Sequence, residues 1–305
     1  MVLLTAFSPL ALINFNLKVY SVSFETPLWL KEGTYAEYKF KSTAIEFTNF
    51  SYLDFDDGDA TGIFRWECLD IRNNIATLNL TLTWGGDGTF KMDDHIIGSG
   101  FRVFKWSKIV YVDLQSNTLR FSNGTLIGPF LTWLPPRLEK GTTLEMFTNP
   151  NFWSGNYCIT YVAGNVTSDS RAVTEIAHGP QKAFSVRWKI HFKLVIRNKT
   201  KTGETTCFYD YDWDTGLALT FDGGPFDPLF TPVFGMCHLG VMGLFPRLSA
   251  TNIDLGPRVI AFSSWFLFDF LLITLVVVFV TIFSVVYYRR RKMRRLTRIR
   301  RLRRR

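Results

Sequence analysis

The chain has 305 residues and a formal net charge of +9, and 16% of it is aromatic, with 29 Phe; this composition excludes a disordered chain. The charge is unevenly placed. Residues 289–305 hold eleven Arg and one Lys and no acid, and removing those twelve from the 35 basic residues leaves 23 against 26 acids, so the rest of the chain does not imply a generally basic, nucleic-acid-binding surface, and a nucleic-acid partner is not expected.

Residues 1–23 read as a signal-peptide-like segment. Met1 to Phe15 is apolar but too short to span a bilayer, and Val19 and Ser21 supply small residues at cleavage-site spacing, although no Lys or Arg precedes the run.

Residues 24–221 read as a β-rich ectodomain, because their dominant period is two. Tyr35 to Lys41 alternates. In Ile75 to Trp84, Leu78, Leu80, Leu82 and Trp84 share one face, and Thr77, Asn79, Thr81 and Thr83 share the other. The longest example is Ala183 to Arg197: Phe184, Val186, Trp188, Ile190, Phe192, Leu194 and Ile196 against Ser185, Arg187, Lys189, His191, Lys193 and Arg197, broken by Val195. A helix would mix these two sets, whereas a half-buried strand separates them. The Asp-, Asn- and Gly-bearing stretches Cys68 to Ile75, Tyr111 to Thr118 and Tyr209 to Gly216 read as hairpins of one kind. Pro135-Pro136 and Asn149-Pro150 are candidate internal boundaries. The expected fold is mainly β, an antiparallel meander closed as a half-barrel or a sandwich, plus one C-terminal transmembrane helix.

Residues 222–263 are rich in Gly, Pro and Phe and read as a juxtamembrane segment, packing on the domain or touching the bilayer surface. Residues 264–288 read as the membrane helix. No charge occurs from Phe270 to Tyr288, and that stretch extends about 28 Å as a helix, close to the roughly 30 Å hydrocarbon core. Trp265 at one end and Tyr287 and Tyr288 at the other fit an aromatic belt. Residues 289–305 form a basic tail. Arg289, Arg290, Arg291, Lys292, Arg294 and Arg295 adjoin the helix, which places the tail in the cytoplasm, against anionic lipid headgroups, and the N-terminal domain outside.

An external address makes other residues meaningful. Five Asn lie in glycosylation sequons: Asn49, Asn79, Asn123, Asn165 and Asn198. All four Cys precede the helix and allow three disulfide pairings. Cys158–Cys207 is preferred because both lie near predicted strand ends in one region, while Cys68 keeps phase with Phe64 and Trp66 and reads equally as a small buried hydrophobe. Asp210, Asp212, Asp214 and Gly216 resemble a calcium loop, but Thr215 stands where such a loop has Gly and Phe221 where it has Glu, so an ordinary Asp-rich hairpin is the plainer reading. Asp54, Asp56, Asp57 and Asp59 form a similar cluster. No resident cofactor is expected.

No GxSxG, HExxH, Walker loop or dinucleotide fingerprint occurs, and the four His show no paired spacing, so no enzyme is expected. The basic row Arg187 to Arg197 reads first as a solvated strand face, second as a site for an acidic glycan. The inward aromatics read first as a packed core, second as the lining of a half-barrel that carries a hydrophobic ligand. The partners expected are the bilayer and an unidentified envelope protein, glycan or hydrophobic ligand. The function expected is that of a membrane-anchored extracellular binding or structural protein of the cell envelope.

The stretch Pro27 to Phe40 (PLWLKEGTYAEYKF) resembles the opening of uncharacterised archaeal-type surface proteins. The passage Trp133-Leu134-Pro135 with Leu138 to Gly141, and the hairpin Tyr211 to Leu217, are similar to the same group. That resemblance implies a β-rich ectodomain with an N-terminal signal and a C-terminal anchor. It carries no site residue across.

Overall fold

The computed structural model describes residues 19–20, 24–42, 44–47, 51–55, 60–92, 95–148, 157–173, 176–196, 199–221, 230–240, 246–256 and 258, and residues 274, 275, 278, 279, 281, 283 and 287. The signal-like segment apart from two residues, Asn49, Asn198, the basic tail with Arg289 to Arg295, and most of the expected membrane span lie outside these residues. The chain divides into two units, Met1–Val259 and Ile260–Arg305.

The first unit is almost wholly strand. In chain order it runs β1 (Val19–Tyr20), β2 (Tyr35–Ser42), β3 (Ala44–Phe47), β4 (Ser51–Phe55), β5 (Ala60–Arg72), β6 (Ile75–Met92), β7 (His95–Asp113), β8 (Thr118–Phe121), β9 (Leu126–Pro129) and β10 (Thr143–Thr148). It continues with β11 (Tyr157–Val173), β12 (Gln181–Ile196), β13 (Lys199–Asp212), β14 (Ala218–Phe221), the short helix α1 (Phe230–Phe234), β15 (Met236–Gly240) and β16 (Arg247–Thr251).

Twelve of these strands form one antiparallel, nearly closed barrel in the order β9-β8-β7-β6-β5-β2-β16-β14-β13-β12-β11-β10, and its two ends, β9 and β10, touch. The mainly β, antiparallel expectation therefore holds, and the architecture is a single curved sheet rather than a sandwich. β1 adds to β10 in parallel. At its far end β6 leaves β5 and pairs instead with β4, which continues through β3 to β15 as a side arm.

The period-two residues make the wall. On β5, Phe64, Trp66 and Cys68 are buried and the residues between them are not. On β12, Phe184, Val186, Trp188 and Ile190 are buried while Arg187 and Lys189 are exposed. Inward rings pack on one another: Tyr38–Phe221 at 4.9 Å between centroids, Phe40–Trp84 at 4.7 Å, Phe64–Phe230 at 5.2 Å and the directly paired Phe184–Tyr211 at 5.3 Å. Phe230 is how α1 joins this core. Rings that large need small partners, and Gly164, directly opposite Trp188 on the neighbouring strand, supplies one: a Cβ there would run into the indole and Val186. The Trp188 indole N–H donates to the Tyr211 hydroxyl (3.2 Å), which donates to the Leu131 carbonyl (2.8 Å).

All three expected hairpins form. Asn73 and Asn74, both at positive φ, make the two-residue β5–β6 turn. The other two turns share one device, a carboxylate at the end of the first strand that accepts from the turn's own N–H groups. Asp113 serves Gln115 and Ser116, and Asp212 serves Asp214 and Thr215.

The boundary at residue 221 needs correction. β16 lies between β14 and β2 in the barrel wall, so part of the stretch read as juxtamembrane is integral to the domain. Leu248 points into the core, and Thr251 and Ser249 donate to the carbonyls of Tyr35 and Glu37. The Tyr38 hydroxyl, on β2, reaches past β16 to the Ala218 carbonyl on β14 (2.9 Å); its burial drives the phenol well above its ordinary pKa.

In the second unit the described residues are helical, and Leu275, Val278, Phe279, Phe283 and Tyr287 are exposed. Among the described residues no helix is long and apolar enough to cross a membrane.

Replacing Trp188 by Ala removes a buried indole and the N–H that donates to the Tyr211 hydroxyl. The expected cost is about 3–5 kcal/mol, against about 0.5 kcal/mol or less for Arg187→Ala one residue away. Urea unfolding midpoints of the two variants check this.

Candidate binding cleft

Three loops far apart in sequence converge at one place on the first unit: 24–29 before β2, 133–136 between β9 and β10, and 213–216 between β13 and β14. They are the passages that carry the resemblance described above. They enclose a cleft of about 260 Å³.

Tryptophan packing fixes the floor. The Trp66 ring, on β5, lies 6.2 Å from Trp29 and 5.4 Å from Trp133. Trp29 and Trp133 meet edge to face at 5.8 Å and 84°, and Phe130 packs on Trp133 at 4.5 Å. Such pairs add about 0.5–1.5 kcal/mol each beyond the area they bury.

Backbone bonds then stitch the loops together. The Trp29 indole N–H donates to the Thr215 carbonyl (2.9 Å), the Leu134 N–H to the Gly216 carbonyl (2.9 Å), and the Arg137 N–H to the Trp213 carbonyl (3.0 Å). Gly216 has φ +71°, and a Cβ there would strike the Leu134 carbonyl, so no other residue fits that turn without strain. Arg137 is itself at φ 60°; its guanidinium donates to Asp214 Oδ1 through Nε (3.2 Å) and Nη2 (2.9 Å). A non-glycine residue held in that region marks a place where surroundings over-determine the backbone.

Phe24, Pro27, Leu28, Trp29, Leu134, Pro135 and Pro136 give the cleft an apolar lining, and Glu25, Thr26, Asp214 and Thr215 add polar groups. Leu28, at the corner of a turn closed by the Leu30 N–H on the Pro27 carbonyl (2.9 Å), is fully exposed.

The sequence-predicted calcium residues go to separate partners. Asp210 accepts from Ser185 (2.6 Å) and Thr220 (2.8 Å) and pairs with Arg171 at 3.4 Å. Asp212 caps its turn, accepting also from the Thr215 hydroxyl (2.7 Å), and Asp214 holds Arg137. Among the described residues no three His, Cys, Asp or Glu side chains converge as a metal-ligand set. Burial is the main cause of an Asp212 pKa above the ordinary carboxylate range, partly offset by the hydrogen bonds from Thr215 and Asp214.

The Cys158–Cys207 pairing needs correction. Cys158 lies opposite Lys193 and Cys207 opposite Trp188, on either side of β12 and five positions apart along it. At about 3.3 Å per residue that offset alone is roughly 16 Å, well beyond disulfide reach. Cys68 is buried in phase with Phe64 and Trp66, and burial pushes its thiol up to about 11. Of the sequons, Asn123 and Asn165 are exposed, and Asn79 is half-buried, its Oδ1 accepting from the Ser107 hydroxyl (2.7 Å). In the basic row, Lys189 and His191 both face Glu204, at 3.0 and 3.4 Å, and Arg187 lies over the Phe208 ring.

No protein-family model, no curated protein and no solved structure matches this chain.

Because the folded-state pKa of Asp212 is raised, the folded chain binds more protons than the unfolded chain above the ordinary Asp pKa of about 3.9. Its contribution is therefore largest at low pH and declines as pH rises through the folded pKa. Asp212→Asn keeps an accepting oxygen but cannot ionise. The stability of wild type relative to this variant should fall as pH rises from about 4 towards neutrality, measured by denaturant unfolding at a series of pH values.

Proposed function

We propose that this is a membrane-anchored envelope protein, similar in plan to the archaeal-type surface proteins, whose barrel stands outside the cell and binds through the cleft. The observation that carries the anchoring is the exposed apolar row Leu275, Val278, Phe279, Phe283 and Tyr287 on helical residues. In water such a row is costly; in hydrocarbon it is satisfied. It falls within the charge-free stretch 270–288, directly before the Arg- and Lys-rich tail, and that order favours a cytoplasmic tail held near anionic headgroups. The exposed sequons Asn123 and Asn165 suit an external barrel that carries glycans.

A binding or structural role is preferred to catalysis. Asp214 and Thr215 of the cleft are engaged in holding loops, and the shifted titrating groups Tyr38, Cys68 and Asp212 owe their shifts mainly to burial. A carrier of a whole lipid would need a space of several hundred Å³, more than the cleft of about 260 Å³.

Membranes from cells expressing the full chain should retain it through an alkaline carbonate wash and release it only with detergent. Protease added to intact cells should reach the barrel and spare the tail. Release by carbonate alone, or loss of the tail with the barrel untouched, would overturn this reading.

A further inference from the structure

We infer that the cleft takes a small alkylammonium group: an amine or quaternary ammonium bearing methyl or methylene carbons. This rests on the cleft being the ligand site of the domain.

The two charged residues that line the cleft are both acids, Glu25 and Asp214. Asp214 is neutralised by Arg137 at 2.9 Å. Glu25 is exposed and has no ion-pair partner among the described residues, so one negative charge stands uncompensated at the mouth. Beside it, Phe24 and Trp29 are half-buried rings of the lining. Ring faces attract a cation through their quadrupole, and a carboxylate beside them adds charge. The apolar remainder, with Leu28 and Pro135, suits the methyl groups that surround such a nitrogen. A sugar would also stack on the rings, but it would gain nothing from the bare charge and would find few donors in this lining.

Size agrees. At about 260 Å³ the cleft falls just under the range of small-molecule pockets, roughly 300–1,000 Å³, which fits a headgroup-sized ion and not an acyl chain. The protein already uses the same chemistry next to Asp214, where the Lys182 ammonium sits 3.8 Å from the centre of the Trp213 ring.

The test uses the full chain in a polyoxyethylene detergent that carries no ammonium. Tetramethylammonium, choline, glycerophosphocholine, glucose and 3,3-dimethylbutan-1-ol, the uncharged isostere of choline, are titrated by calorimetry and tryptophan fluorescence, with sodium chloride as the ionic-strength control. Tetramethylammonium and choline should bind saturably, and the uncharged isostere at least about tenfold more weakly. Glu25→Gln, at an exposed position, should weaken choline by a similar factor while leaving the unfolding midpoint unchanged. Glycerophosphocholine binding more tightly than choline assigns the ammonium to a lipid headgroup, and weaker binding assigns it to a free amine. Equal binding of choline and its isostere, binding of glucose alone, or no saturable binding overturns the inference. None of these results depends on membrane topology, so a failure here is separable from a failure of the anchoring.

Discussion

Trp66 faces inward from the wall of the barrel, and its ring touches two others that arrive from distant parts of the chain, Trp29 before the first barrel strand and Trp133 between the two strands that meet at the seam. The loops that bear Trp29 and Trp133 have little regular structure of their own, and burial of these rings holds them in register. Once Trp133 is seated, Leu134 and Arg137 bond to the β13–β14 turn, and that turn in turn accepts the Trp29 indole. The cleft follows from this closed circuit of contacts. The same packing leaves Arg137 at positive φ with its guanidinium on Asp214.

The wall itself depends on a late strand. β16 sits between β14 and β2, so residues near 250 complete a barrel whose first strand begins at Tyr35. Without it β14 and β2 would each present an unpaired edge. Closure lets the rings of Tyr38, Phe64, Phe221 and Phe230 pack on one another rather than on water.

Much of the wall was legible in the sequence because strand periodicity is local. The alternation in β2 and β6, and on β12 from Val186 to Ile190, matches the observed faces, and the Asp-, Asn- and Gly-bearing stretches lie where hairpins form. What was missed is non-local or carries no period. β16 is five residues long with one deeply buried position, Leu248, too little for a pattern. β7 runs from His95 to Asp113, but Gly98, Gly100 and a mixed series of Arg, Phe, Lys and Trp hide its alternation. The Cys158–Cys207 pairing rested on shared neighbourhood, and neighbourhood does not give register. Asp210, Asp212 and Asp214 look like a ligand set as a string, yet each carboxylate turns to its own donors. The cleft was invisible for the same reason: Trp29, Trp133 and Thr215 have nothing in common until the barrel brings its loops together.

A double-mutant cycle on Trp29 and Trp133 tests the ring circuit most directly. Trp29→Leu, Trp133→Leu and the double variant are compared by denaturant unfolding. Edge-to-face contact predicts a coupling of about 0.5–1.5 kcal/mol between the two sites. Additivity within about 0.3 kcal/mol, the behaviour of independent positions, would mean that the loops do not meet on these rings and that the cleft has no floor.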